Sequence, residues 1–274
     1  MGVLSVLVSK LCSQRSMVAP EISWRLIHDV PFSGPRNMAL DHALAVCLPR
    51  NEGVLRLYSW KRPTVSFGRN EPAVGRYSEQ AMCSTNFEYV RRPTGGRAVL
   101  HDKELTYSIV IPLRETVRPR EIYEEINRTL AKALISLNAP VTLSKDRQCQ
   151  PLSSGPCFQS PAAGEVTANG RKLVGSAQAR IGGRLLQHGS ILLDGDQSQL
   201  DGLFGDTSSR ATSVTLRELV GATSPDFVAR AVAVNLKGHL GGKWASVGYT
   251  HEEIETAGRL ENERYNKTSW TWRK

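Results

Sequence analysis

The chain has 274 residues, 40% hydrophobic and 22% charged, enough to bury a substantial core as one domain or one domain with a small helical appendix. Its formal charge of +9, from 35 basic and 26 acidic residues, favours acidic partners, but the basic residues are dispersed and choose neither nucleic acid nor an acidic protein. No apolar run approaches the ~20 residues of a bilayer span, and Cys12, Cys47, Cys83, Cys149 and Cys157 form no CxxC pair and no zinc-type cluster with histidine. A membrane, a disulfide frame and a bound metal are therefore not indicated, and a reducing compartment, the cytoplasm, is the expected location.

Met1 to Val8 are apolar without a basic cluster before them or a clear cleavage site after them. Residues 1–20 read as a loose leader, with Met17 as an alternative start, and not as a signal peptide. A helix is expected over Asn37–Leu48, capped by Asn37 and apolar on more than one face, hence buried. Strands follow at Val54–Trp60 and Thr64–Gly68. Phe87–Arg91 and Ala98–Leu100 form a hairpin-like unit through Pro93-Thr94-Gly95-Gly96, and Leu105–Ile111 is a strong strand. Pro119 opens a helix in which Ile122, Ile126, Leu130 and Leu134 recur every four residues, stopped by Asn138-Ala139-Pro140. Residues 144–162 lack a period and read as a long irregular loop of the kind that carries function.

Asn169-Gly170 and Gly182-Gly183 are type I′ hairpin signals, delimiting strands at about 164–168, 171–180 and 184–193. From Thr215 onward the pattern turns helical, chiefly Phe227–Leu240 and Glu252–Glu263. The fold class is α+β: a mostly antiparallel sheet flanked by helices, with a small helical C-terminal part from about 215.

Three segments carry candidate chemistry. In Arg91 to Asp102, paired glycines let backbone N–H groups approach a ligand while the arginines supply charge, although such a turn taken alone is more often structural. In Gly170 to Gln178, Lys172 shares a strand face with Val174 and Ser176, where a lysine is ordinarily exposed. In Gly155-Pro156-Cys157-Phe158 a thiol stands 15 residues before that lysine. An ammonium group beside a thiol favours the nucleophilic thiolate, whereas an isolated cysteine is by default an inert one. Cys149, near Arg147, is the competing thiol.

Together these segments resemble the biotin/lipoate ligase and lipoyltransferase superfamily, and within it the cysteine-dependent octanoyltransferases of the LipM type. The resemblance runs from Asn37-Met38-Ala39-Leu40-Asp41 through Arg91 to Val110, Cys157-Phe158, Gly170 to Arg180 and Leu186 to Leu193. It ends in Glu263-Arg264-Tyr265 and Trp270-Thr271, so that it spans residues 21–274 as one catalytic domain with the helical tail. It implies that Cys157 carries an octanoyl thioester and that Lys172 assists proton transfer there. It further implies that Arg92, Thr94, Gly95, Gly96, Arg97, His101, Ser176, Ala177, Gln178, His188 and Gly189 bind the acyl chain and its carrier.

The implied donor is octanoyl-acyl carrier protein, and the implied acceptor a lysine of a lipoyl domain, as in the glycine cleavage H protein or the E2 component of a 2-oxoacid dehydrogenase. No cofactor, metal, nucleic acid or membrane is implied, and a monomer is expected. After Cys157-Phe158 the chain reads Gln159 to Glu165 where family members often carry a bulkier aromatic residue. Two relatives of the same fold stay open as alternatives: an ATP-dependent lipoate–protein ligase and an amidotransferase moving octanoyl between lipoyl domains. A catalytically silent acyl- or lipoyl-domain-binding protein and a nucleic-acid-binding protein rank behind them.

Overall fold

The structure is a computed structural model and describes residues 22–113, 116–145, 156–159, 161–204 and 213–273. The leader expected over residues 1–20, and Cys149 with Arg147, lie outside the described residues. Eight strands form one mixed sheet in the order β11-β1-β2-β6-β10-β9-β8-β7. They are β1 Ser23–His28, β2 Glu52–Tyr58, β6 Glu104–Pro112, β7 Thr142–Leu143, β8 Val166–Ala168, β9 Arg171–Ile181, β10 Arg184–Leu192 and β11 Lys243–Ser246. β1 runs parallel to β2 and β11, and the other neighbours are antiparallel. β9 and β10 form the expected hairpin. Gly182 (φ 53°) and Gly183 (φ 78°), like Asn169 (φ 51°) and Gly170 (φ 74°), take the left-handed conformation that type I′ turns need.

Both faces of the sheet are covered, so every residue of β6 from Glu104 to Ile111 is buried, the polar Glu104, Thr106 and Ser108 included. On one face, Leu105, Tyr107, Ile109 and Ile111 of β6 share a core with Ile122, Ile126, Leu130 and Leu134 of one helix, α3 (Pro119–Ile135), and with Val228, Val232 and Leu236 of another, α6 (Pro225–Leu240). On the other, Val110 and Leu186 pack with Leu44, Ala45 and Leu48 at the end of α1 (Gly34–Cys47). The first helix thus begins earlier than expected. Ser33, not Asn37, is the N-cap, its hydroxyl accepting from the Arg36 N–H, and Pro35 fits the first turn because it has no N–H to satisfy. Asn37 is turned inward, where its Oδ1 accepts from Arg56 Nη2 at 2.7 Å.

A second sheet has three strands, β4 (Glu88–Arg91), β3 (Thr64–Phe67) and β5 (Val99–His101). Here the hairpin expectation is corrected: β4 and β5 do not pair, because β3 lies between them, parallel to β4 and antiparallel to β5. The Pro93–Gly96 segment is no tight turn. It folds onto Gly68, where an added Cβ would stand 1.8 Å from Gly96 O, and the Arg92 guanidinium clasps it by donating to Gly95 O and Arg97 O at 2.7 and 2.8 Å.

The C-terminal region is helical as expected and adds a strand. β11 pairs with β1, where Trp244 stacks on Trp24 at 4.8 Å. α7 (His251–Leu260) is capped by Thr250 and anchored to β1 through Arg25 Nη1 and Glu253 Oε2 at 2.9 Å. The tail then closes on the small sheet. Arg91 Nε donates to Thr271 O and Trp270 Nε1 donates to Arg91 O, each at 2.9 Å. No helix among the described residues is long and apolar enough to cross a membrane.

Candidate active site

The site forms where the β9–β10 hairpin meets the small sheet. Cys157 opens a short 3-10 turn, Cys157–Gln159, pinned by its own N–H donating to Ala98 O at 2.9 Å. Phe158 seats the turn against β9: its ring is buried, and the space in front of it exists because residue 175 is glycine. Lys172, near the start of β9, is 1% exposed. It is therefore no ordinary exposed strand lysine.

Its Nζ lies 3.3 Å from Cys157 Sγ, 3.3 Å from Cys157 O and 2.8 Å from Glu165 Oε1. An ammonium group has three N–H donors, and these three acceptors satisfy them. Burial opposes the lysine's charge, yet the Cys157 sulfur and the Glu165 carboxylate outweigh it and hold its pKa above the ordinary lysine value. A donor at this distance stabilises negative charge developing on the sulfur.

Beside Cys157 opens a cavity of about 420 Å³, its open mouth included. Of the residues expected to bind substrate, Arg92, Gly96, His101, Ser176, Ala177, His188 and Gly189 line it with Cys157. Thr94, Gly95, Arg97 and Gln178 are not in its wall. Thr94 braces it from behind, its hydroxyl 2.6 Å from His188 Nε2, and Arg97 Nη2 reaches Cys157 O at 3.5 Å. Gln178 turns aside to Pro119 O at 3.1 Å and Gln187 Oε1 at 2.8 Å.

Other wall residues were not among the expected binding residues, although Met38, Val99, Thr106 and Ser190 lie within the motifs that carry the resemblance. Met38, Tyr58, Trp60 and Val99 supply apolar surface, while Ser66, Thr106 and Ser190 supply hydroxyls. Trp60 stacks on His101 at 4.0 Å, and Glu104 Oε1 accepts from Ser190 Oγ at 2.9 Å and pairs with His101 Nδ1 at 2.8 Å.

Behind the wall runs a buried charged chain. Arg56 Nη1 donates to Asp41 Oδ1 at 2.8 Å, and Asp41 Oδ2 faces His188 Nδ1 at 2.9 Å. Burial alone would raise the Asp41 carboxyl, but Arg56 and His188 hold it below the ordinary carboxylate range. Burial lowers His188 despite Asp41, so its ring is neutral near pH 7. The Asn37 to Asp41 motif thus reaches the cavity directly at Met38 and, from Asp41, through His188.

Glu165 is the residue that sequence reasoning missed. It lies just before β8, with Oε2 accepting from the Ala162 N–H at 2.8 Å and Oε1 held by Lys172, with Tyr123 OH 3.4 Å away. Its only sequence signal was its place in the stretch between Cys157 and Lys172. Among the described residues no group of His, Cys, Asp and Glu is arranged to hold a metal ion.

Residues 33–236 match the lipoyl protein ligase A/B catalytic domain. Octanoyltransferase LipM of Kyrpidia tusciae is 38% identical over 92% of this chain and 99% of its own length. Octanoyltransferase LipM of Symbiobacterium thermophilum is 38% identical over 93% of this chain and 100% of its own. Among solved structures, a lipoate-protein ligase A bound with ATP superposes with a TM-score of 0.80 at 21% identity, covering 92% of this chain and 99% of that one. A bi-partite lipoate protein ligase from Thermoplasma acidophilum gives 0.78 at 21% identity, over 92% and 96% of the two chains. These last two establish likeness of fold. The motifs, the matching family model and relatives aligned over almost their whole length agree: the chain belongs to the lipoyl protein ligase A/B catalytic-domain family, on its LipM-type octanoyltransferase branch, and is an acyltransferase.

Proposed function

We propose that the enzyme moves an octanoyl group from acyl carrier protein to a lysine of a lipoyl domain through a thioester on Cys157, for lipoate biosynthesis. The observation that carries this reading is the 3.3 Å contact of Lys172 Nζ with Cys157 Sγ at the edge of a largely apolar cavity. The Cys157 thiolate attacks the carrier's thioester, and the departing thiol takes a proton from Lys172. The acceptor amine then attacks the octanoyl-cysteine. A free lysine titrates near 10.4, so its neutral form costs about 4.6 kcal/mol at pH 7, and the neutral Lys172 left by the first step is the base that accepts the amine's surplus proton. A thioester is already activated, so no nucleotide enters.

Burying an eight-carbon chain contributes up to about 5 kcal/mol at roughly 0.8 kcal/mol per methylene. The cavity residues Arg92, Gly96, His101, Ser176, Ala177, His188 and Gly189 are the acyl-binding surface of this reading. The charge of +9 suits an acidic carrier and an acidic acceptor. A lipoyl-domain acceptor accords with the Thermoplasma ligase, which is described together with its E2 lipoyl domain.

The test is to mix the protein with octanoyl-acyl carrier protein without ATP, record its intact mass and map the modified peptide. One octanoyl group on Cys157, chased onto an added apo lipoyl domain, is the expected result. No adduct with an intact donor sinks the reading, and acceptor labelling that requires octanoate or lipoate with ATP makes the enzyme a ligase.

A further inference from the structure

Cys157, Lys172 and Glu165 form one contiguous cluster in which the lysine and the carboxylate are buried, and the two-step transfer uses only the first two. Glu165 is not a loosely attached counter-ion. Its Oε2 is tied to the Ala162 N–H at 2.8 Å, so Oε1 meets Lys172 Nζ, also at 2.8 Å, from a fixed direction. Among the described residues, the other titratable or charged groups facing this trio are Tyr123, Tyr107, Arg92 and Arg97. None of these is a carboxylate, so Glu165 supplies the local negative charge apart from the sulfur itself. Tyr123 and Tyr107 are raised by burial and stay neutral.

We propose that Glu165 is a positioning residue of the acyl transfer: it aims Lys172 at Cys157 Sγ and tunes it to donate a proton in the first half-reaction and take one in the second. This rests on the thioester reading. In the first half, the carbonyl carbon bonds to Cys157 Sγ and its bond to the carrier sulfur breaks. The carrier sulfur leaves with one Lys172 proton, so a neutral lysine remains beside the Glu165 carboxylate. In the second half, the neutral acceptor amine bonds to the carbonyl carbon and the bond to Cys157 Sγ breaks. The surplus proton on the amine nitrogen passes to Lys172, which restores the ammonium–thiolate pair. The acceptor sheds its own first proton to solvent on entry, so each cycle releases one proton.

The carboxylate acts on the two halves with opposite sign. It strengthens the hold of Lys172 on a proton, which slows donation to the leaving thiol and favours uptake from the amine. Without it the second half suffers more than the first, and Lys172 loses its proton at lower pH. A purely structural role predicts no such asymmetry.

The experiment measures both half-reactions by intact mass across pH, for the wild type, Glu165→Gln and Glu165→Asp. Octanoyl-acyl carrier protein drives acylation, and an apo lipoyl domain added to the isolated acyl-enzyme drives transfer. For Glu165→Gln, transfer is expected to fall about tenfold or more while acylation at neutral pH changes far less. The alkaline limb of acylation should move to lower pH, with the acceptor KM unchanged. Glu165→Asp keeps the charge but draws it back, so its limb should return toward the wild-type position while transfer stays slow. Measuring Asp beside Gln, each with a melting curve, keeps the test decisive if one variant folds poorly. Equal losses in both halves with an unmoved limb, or no loss at all, would overturn the role of Glu165. Absence of the wild-type adduct would instead remove the thioester reading beneath it.

Discussion

Lys172 Nζ stands between Glu165 Oε1 at 2.8 Å and Cys157 Sγ at 3.3 Å, with the lysine 1% exposed. Removing one partner of a buried pair strands the other charge and costs about 3–5 kcal/mol, whereas replacing both is often nearly neutral. Lys172→Met is therefore expected to lower unfolding stability by about that amount, and Lys172→Met combined with Glu165→Gln to recover most of it. Urea titrations of the three proteins check this. Both variants should lose at least about a hundredfold in octanoyl transfer, because the proton donor is gone in each.

Gly175 leaves room for the Phe158 ring, and a Cβ there would stand 3.0 Å from Phe158 and 3.3 Å from Lys172 Cε. Gly175→Ala should push the Cys157–Phe158 turn off its seat, costing about 1–3 kcal/mol and slowing thioester formation. Gly189→Ala should be the harsher change, since its Cβ would stand 2.4 Å from Gly175 O, a backbone atom on the neighbouring strand. Thermal unfolding of the two variants gives the order directly.

Two buried histidines make acid unfavourable. Burial brings His42 from the ordinary value near 6.5 to about 4, and lowers His188 as well. The unfolded chain takes up protons below about pH 6.5 that the folded chain refuses, so this stability is complete above that pH and is lost as pH falls toward 4. The denaturant midpoint should fall across this window in the wild type. His42→Phe should flatten part of the fall, and an unchanged profile would show that His42 is not protonated on unfolding there.

Asp41 accepts from Arg56 Nη1 at 2.8 Å and Tyr58 OH at 2.9 Å, and faces His188 Nδ1 at 2.9 Å. Asp41→Asn should cost about 3 kcal/mol or more, because the fully buried Arg56 loses one of its two carboxylates and keeps only Asp29. As His188 and Thr94 lose their brace, KM for the acyl donor should rise. Chemical denaturation and initial-rate kinetics report the two effects separately.

Local rules of the chain reached far into this molecule. The left-handed turns at Asn169-Gly170 and Gly182-Gly183, the four-residue spacing of Ile122 to Leu134 and the strand pattern of Leu105 to Ile111 each follow from short-range sterics or periodicity. They stood in the structure where the sequence placed them. Cap and pairing choices were less legible. Asn37 has a good capping side chain, but Arg56, 19 positions along the chain, uses it inside the protein, so Ser33 caps instead. β4 and β5 look like a hairpin, but Arg92 and Gly68 draw the segment between them into the cavity wall and β3 takes the place between.

The sequence by itself determined the α+β class and the family, because motifs, turn residues and apolar periods are properties of neighbours along the chain, and through the family resemblance it pointed to Cys157 and Lys172 while leaving Cys149 as a competing thiol. Only the tertiary structure decided that Lys172 is buried and that Glu165 is its partner. It also put Thr94 behind the cavity wall with Arg97 and Gln178 outside it, and brought Met38, Trp60 and Ser190 to the same space. Burial and charge pairing depend on which segments meet in space. Glu165 lies only seven residues from Lys172, yet only the folding of the chain before β8 brings its carboxylate to 2.8 Å from that lysine.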